Sequence, residues 1–313
     1  MGARLGQGRI AALEPHRRAA LAGHLAMAGF SALVAGSFSL GVTIANDISP
    51  MALTAPRCLI AGALMTAMAF AFGPGIRRRD VVAPWRYLVL GGLYAAYFVL
   101  MFEGLKTAAP VPAAAVFTLT PAMAALFGWW LLAQVTTPRM ALALAIGGAG
   151  ALWVIFRGDA AALFAFDIGR GEAIYFWGCV AHAALAPMIR RLNRGEAATV
   201  TTALMLGGAV VLLGGAGAGE IAATDWAGLP ARVWWVMLYL AVFATAGSFF
   251  LLQYASMRLP SAKVMAYTYL TPSWVIGWEV ALGRPAPPGL VAVGVALTAL
   301  ALLILLRDDE RAR

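Results

Sequence analysis

The sequence predicts an all-α integral membrane protein of about ten transmembrane helices, arranged as two inverted five-helix repeats. Three observations lead there. Of 313 residues, 62% are apolar and only 12% are charged, against about 25% charged in an average soluble domain. A soluble fold cannot hide that much apolar surface. The apolar residues fall in ten stretches, each close to the roughly 20 residues that cross a bilayer core as helix. The cations between the stretches are sorted by side. With the N-terminus placed in the cytoplasm, 17 of the 23 Lys and Arg lie in cytoplasmic tails and loops, five lie opposite, and Arg57 lies inside a stretch. That is a positive-inside bias, and it puts both termini in the cytoplasm.

In chain order, residues 1–21 form a cytoplasmic tail carrying Arg4, Arg9, Arg17 and Arg18. The first apolar stretch, near 22–45, is too long for the roughly 7–15-residue core of a signal peptide, so it is read as a retained helix. The second, near 51–72, holds Pro56 and Arg57, and an arginine near a helix end can snorkel to the interface as an anchor. The third, near 85–105, places Tyr94, Tyr97, Phe98 and Met101 on one face and ends at Glu103, close to Lys106. Glu103 reads either as an interfacial partner of that lysine or as part of a pathway mouth. The fourth, near 110–132, is interrupted by Thr120-Pro121, and the fifth, near 139–156, is rich in Ala and Gly. These five form the first repeat, 22–156.

The second repeat, 172–306, runs through stretches near 172–190, 197–217, 232–254, 262–282 and 288–306. Tyr175 and His182 are seven apart and share a face of the sixth helix. His182 can titrate near physiological pH or bond to a neighbouring carbonyl. Gln253 lies near the end of the eighth. In the ninth, Tyr267, Thr271 and Trp274 are spaced for one face, Thr271-Pro272 repeats the break of the fourth, and Glu279 lies deeper, within reach of Arg284. Residues 307–313 are a cytoplasmic tail.

A tyrosine at mid-bilayer needs a hydrogen-bond partner, which a watery cavity supplies. Tyr94, Tyr97, Phe98, Met101, Tyr175, His182, Gln253, Tyr267, Thr271 and Trp274 are therefore the candidate cavity residues. Trp85, Trp226, Trp234 and Trp235 fit an interfacial belt. Glu279 and His182 are the candidate proton-coupling groups. Each Thr-Pro pair marks a candidate hinge, since proline removes a ladder hydrogen bond that its threonine can partly replace. Gly147, Gly148, Gly150, Gly289 and Gly294 suit close helix packing. Cys58 and Cys179 lie inside apolar stretches in no metal or redox spacing. No phosphate-binding loop, zinc-protease motif or nucleophile elbow occurs, so no cofactor, metal or catalytic residue is expected. The excess of cations lies between apolar stretches and not along one face, which excludes nucleic acid as a partner.

The halves match: Leu119-Thr120-Pro121 and Leu270-Thr271-Pro272 sit mid-way through the fourth and ninth helices, and the Gly-rich fifth and tenth correspond. Five crossings is an odd number, so a direct repeat inserts upside down. Inverted repeats recur in secondary transporters, with the substrate site at the repeat interface. With Pro50 and Arg57 opening the second helix, this order resembles the EamA family of the drug/metabolite transporter superfamily over about 22–306. Within it, the chain is similar to the YddG-type amino-acid exporters. The resemblance implies a cell inner membrane location and a central cavity walled by helices 1, 3, 4, 6, 8 and 9. It implies export of amino acids or related amphipathic small molecules by alternating access. One departure stands out: the family often has a glutamate just after helices 4 and 9, where Gln134 and Arg284 stand here. Two other classes remain. An intramembrane enzyme for lipid-linked substrates needs two ionisable groups converging at one depth, and a scaffold needs no paired kinks. Oligomeric state is not legible.

Overall fold

The computed structural model describes residues 2–165, 168–256, 258, 264 and 266–308, with side chains from residue 18 onward except at 253, 256, 307 and 308. The Gln253 side chain, Lys263 and, but for Arg18, the basic side chains of both tails therefore lie outside the described residues. The described elements are helical: α1 (Gly2–Gly41), α2 (Pro50–Phe72), α3 (Trp85–Gly104), α4 (Pro110–Leu132, in two pieces), α5 (Pro138–Ile155), α6 (Arg170–Leu192) and α7 (Ala198–Ala216). α8 runs as Ala231–Ala241, a π segment Val242–Gly247, and Ser248–Ser256. α9 (Thr271–Ala281) follows a 3₁₀ turn, Tyr267–Leu270, and α10 is Val291–Asp308.

Among the described residues, eight helices, α1 to α8, are long and apolar enough to cross a bilayer; α10 contributes a shorter apolar run, Val291–Leu306. The sequence reads 262–282 as one long stretch, but α9 keeps only 11 residues of α-helix. Pro272 has no N–H to continue a ladder from the turn before it, so the chain enters α9 as a 3₁₀ turn.

Local signals set the other ends. Ser49 Oγ accepts the Ala52 N–H at 3.1 Å ahead of Pro50, and Thr137 Oγ1 accepts the Met140 N–H at 3.2 Å ahead of Pro138. Both are N-caps followed by a proline whose missing donor costs nothing there. α4 breaks between Phe117 and Thr120, so both Thr-Pro pairs open a second helical piece behind a leucine N-cap, Leu119 and Leu270. The threonines of the pairs do not repair the ladder as expected: neither Thr120 nor Thr271 bonds a backbone carbonyl. Thr118 does so instead, donating to the Ala115 carbonyl at 2.7 Å.

Polarity is inverted relative to a soluble fold. Trp129, Trp130, Trp177, Trp235 and Phe72 are exposed, while Ser31, Thr54, Thr118 and Thr298 are buried. Of the expected belt, Trp85, Trp234 and Trp235 are exposed, whereas Trp226 packs on the core with its Nε1 donating to the Ile221 carbonyl.

The principal packing contacts recur when each helix is exchanged for the one five later: α3 on α6 and α8 on α1, α3 on α7 and α8 on α2, α4 on α6 and α9 on α1. Two contacts map onto themselves, α2 on α7 and α5 on α10. The last rests on Gly150 and Gly294, where a Cβ on either would meet the other's carbonyl oxygen at 2.7 or 2.6 Å. Gly147 accommodates the Tyr269 ring, but Gly148 and Gly289 have open space and carry no packing role.

Candidate functional site

A cavity of about 190 Å³ lies between the two halves. At about 30 Å³ per water it equals roughly six waters, less than the roughly 300–1,000 Å³ of drug-sized sites. α1 contributes Met27, Phe30, Val34 and Ser37, and α3 Tyr94, Tyr97 and Phe98. α4 adds Phe117, and α6 adds His182, Leu185, Ala186 and Ile189. α8 supplies Ala244, Thr245, Ser248, Phe249 and Leu252, and Val264 and Thr268 lie ahead of α9. α7 adds Thr202 and Met205, a helix absent from the expected wall. Among the described residues, none that lines it is acidic or basic apart from His182.

The positions along the helices fix where the cavity lies. It takes the later half of α6 and of α8 but the first half of α7, so it reaches the end of the bundle where α6 stops and α7 begins. Beyond it, toward the other end, packing is solid: Phe38, Met101, Phe102, Leu105 and Tyr175 are buried in one cluster. Outside that cluster Arg232 Nε and Nη2 donate to Asp47 Oδ2 and Oδ1, each at 2.9 Å, across the two halves.

Of the candidate cavity residues, Tyr94, Tyr97, Phe98 and His182 line it. His182 packs at a tilt of 45° on Tyr97 with centroids 4.5 Å apart, and its Nδ1 has no hydrogen-bond partner among the described residues, so the expected carbonyl bond is not made. The structure places five others elsewhere. Met101 is one turn further along α3, in the solid cluster. Tyr175 is fully buried, its hydroxyl 3.0 Å from that of Tyr97, so it supports the wall from behind. Tyr267 lies 2.9 Å from His24 Nδ1, Thr271 is fully buried, and Trp274 is 41% exposed on the outer surface. Helical spacing put Tyr267 and Trp274 on one face; the 3₁₀ turn, at 3.0 residues per turn and not 3.6, rotates Tyr267 off it.

The ionisable groups resolve differently. Glu279 is buried and held by Arg284 Nη1 at 3.0 and 2.9 Å to its two oxygens, away from the cavity. Glu103 takes its interfacial reading, with Lys106 Nζ at 2.6 Å. Arg57 does not snorkel. It is 0% exposed, and its Nε and Nη2 donate to Thr245 Oγ1 at 3.0 and 2.9 Å. Thr245 Oγ1 in turn donates a hydrogen bond to the Leu240 carbonyl at 2.8 Å, five residues back, which the π segment makes possible. Such bulges are frequent at functional sites. The small-residue run Ala244-Thr245-Ala246-Gly247-Ser248 was the available sequence signal.

A multi-pass bundle enclosing a small cavity between two matching halves defines a membrane transporter. The chain belongs to the EamA-like transporter family, whose model matches residues 21–156 and again 169–307. It is 26% identical over 269 residues to the Bacillus subtilis (strain 168) protein called Uncharacterized transporter YyaM, covering 84% of this chain and 86% of that one. A protein of known crystal structure shares the fold at a TM-score of 0.66 and 21% identity, over 95% of this chain and 99% of its own.

Proposed function

We propose that the protein moves one small amphipathic solute at a time, an amino acid or a related molecule, out of the cell by alternating access. The carrying observation is the cavity itself: amino-acid-sized, aromatic and hydroxyl-lined, and blocked at one end by packed side chains and the Asp47–Arg232 pair. In this reading ten helices cross the inner membrane, with 22–156 and 172–306 as inverted halves and both termini cytoplasmic. The cavity then faces the cytoplasm. The Thr120-Pro121 and Thr271-Pro272 breaks serve as hinges, because a broken ladder bends at low cost. His182 is the proton-coupling candidate that touches the cavity; Glu279 is committed to Arg284.

Two measurements test this. Purified protein in liposomes should carry labelled amino acids above the empty-liposome rate; flux by none of a broad panel would sink the proposal. If His182→Gln still responds to an imposed pH gradient, His182 is not the coupling group. Orientation has its own test, since Cys58 and Cys179 are both buried and give a quiet background. Ala186→Cys, at the exposed rim of the cavity, should react with a membrane-impermeant maleimide in inside-out vesicles several times faster than in right-side-out ones. The reverse ratio would turn the topology over.

A further inference from the structure

The cavity wall hides a positive charge with no negative partner. Arg57 is fully buried, and the ion pairs among the described residues engage Arg79, Arg86, Lys106, Arg232 and Arg284 but not Arg57. Its Nη1 makes no hydrogen bond among the described residues. What it has is neutral: the Thr245 hydroxyl, already donating to Leu240, and the Phe98 ring face 3.6 Å from Cζ. A buried charge held only by a hydroxyl and a ring is poorly compensated, and proteins that keep such a group within a membrane keep it for function.

Arg57 stands one side chain behind the cavity. Both groups that hold it, Thr245 and Phe98, line the cavity, as does Tyr94, whose hydroxyl is 3.5 Å from Thr245 Oγ1. That is too long for a good hydrogen bond, so the Tyr94 hydroxyl retains a proton to offer a solute. Since no described lining residue is acidic, the field inside is positive, and the described lining holds no counter-ion for Arg57. Arg57 is on α2 and Thr245 on α8, so the charge sits at the seam between the halves.

We propose that the cavity recognises its solute by a carboxylate, which accepts the Tyr94 hydroxyl proton and supplies the counter-charge to Arg57. A single negative charge matches that of Arg57; a phosphate at about −1.5 to −2 would not, in walls this apolar. The faces of Tyr94, Tyr97 and Phe98 take the remainder, including an ammonium group if one is present. Amines and quaternary ammonium ions without a carboxylate are rejected by the same field. The assignment rests on the transport reading and narrows its substrate class.

The test uses matched solutes on the purified full-length protein, with binding read by tryptophan fluorescence and flux in liposomes. Alanine, leucine and phenylalanine are each compared with the corresponding amide, the decarboxylated amine and the deaminated acid. The expected result is that, within each set, both acids bind about tenfold or more tighter than the amide and the amine, the scale of a charge-assisted contact. Arg57→Gln should bring that ratio to within about twofold, while Arg57→Lys preserves part of it. If Arg57→Gln does not yield folded protein, Tyr94→Phe and the wild-type ratios decide. Amides binding or moving as well as acids, or a folded Arg57→Gln variant that keeps the preference, would overturn the carboxylate assignment and leave transport standing. Binding and flux by no solute would remove both.

Discussion

Gly208→Ala is expected to lower the thermal stability of the detergent-solubilised protein sharply, while Gly207→Ala, one residue earlier, leaves it unchanged or slightly raised. A Cβ on Gly208 would lie 2.7 Å from the Tyr87 carbonyl carbon and closer still to its oxygen. The obstacle is backbone, which no rotamer change can clear. From the other side, a Cβ on Gly91 would meet the Met205 carbonyl oxygen at 2.6 Å. α3 and α7 therefore touch main chain to main chain at both glycines, the mode of packing that small residues allow in membranes. Forcing them apart costs about 1–3 kcal/mol as overpacking, with the upper end expected against rigid backbone. The displacement would also move Met205, a cavity residue. Gly207 has nothing within 4 Å, so its alanine brings only the helix-propensity gain, up to about 1 kcal/mol in water. Equal melting temperatures for the two variants would show that α3 and α7 do not meet this way.

The second large effect is expected at Arg86. Its Nη2 donates to Glu196 Oε1 at 2.8 Å and its Nη1 to the Leu192 carbonyl at 2.7 Å, with both side chains of the ion pair at most 4% exposed. The start of α3 is thus tied to the end of α6 and to the loop before α7. Arg86→Met leaves a buried carboxylate without its cation, held only by the Arg194 N–H and the Tyr87 hydroxyl, a loss of about 3–5 kcal/mol. Glu196→Gln keeps hydrogen-bonding atoms in place and should cost less, about 1–3 kcal/mol.

Acid should separate the two cases. Burial pushes the Glu196 carboxyl up, but the Arg86 hydrogen bond and the Arg194 backbone N–H outweigh it and hold the group at about 2. A folded-state value below the unfolded one, about 4.3, means stabilisation that is complete above the unfolded value and lost as pH falls toward the folded one. From this pair, wild-type stability should be flat from pH 7 to about 5 and fall below that. The gap between wild type and Arg86→Met should close over the same acid range, read as melting temperature against pH. A constant gap down to pH 3 would rule the pair out as the source.

Much of the helical layout was legible because hydropathy and end signals agree: Ser49-Pro50, Thr137-Pro138 and Pro110 begin helices where apolar runs begin. The two Leu-Thr-Pro repeats were equally plain, since proline breaks a ladder wherever it falls inside one. The site was only partly legible. Tyr94, Tyr97 and Phe98 follow the 3.6-residue period of an unbroken helix, so their shared face survived into the cavity. Tyr267 and Trp274 used the same arithmetic across a 3₁₀ turn and were separated by it. Thr245 was missed because a π segment shifts register in a stretch whose composition reads as ordinary helix. Glu279 had two readings, a proton-coupling group by its depth or a partner of Arg284, and the geometry shows the pair.

By itself, then, the sequence determined the membrane class, the sided charges, the two matching halves and the places where helices begin and break. Those are properties of single segments and their solvent, set by transfer free energy and by missing backbone donors. The tertiary structure alone decided which face of each helix meets the cavity. It also decided that Arg57 is buried with no acid beside it among the described residues and that Gly208 but not Gly207 is a contact. These depend on the rotation and approach of helices from opposite halves. One irregular turn shifts that rotation, and hydropathy does not record it.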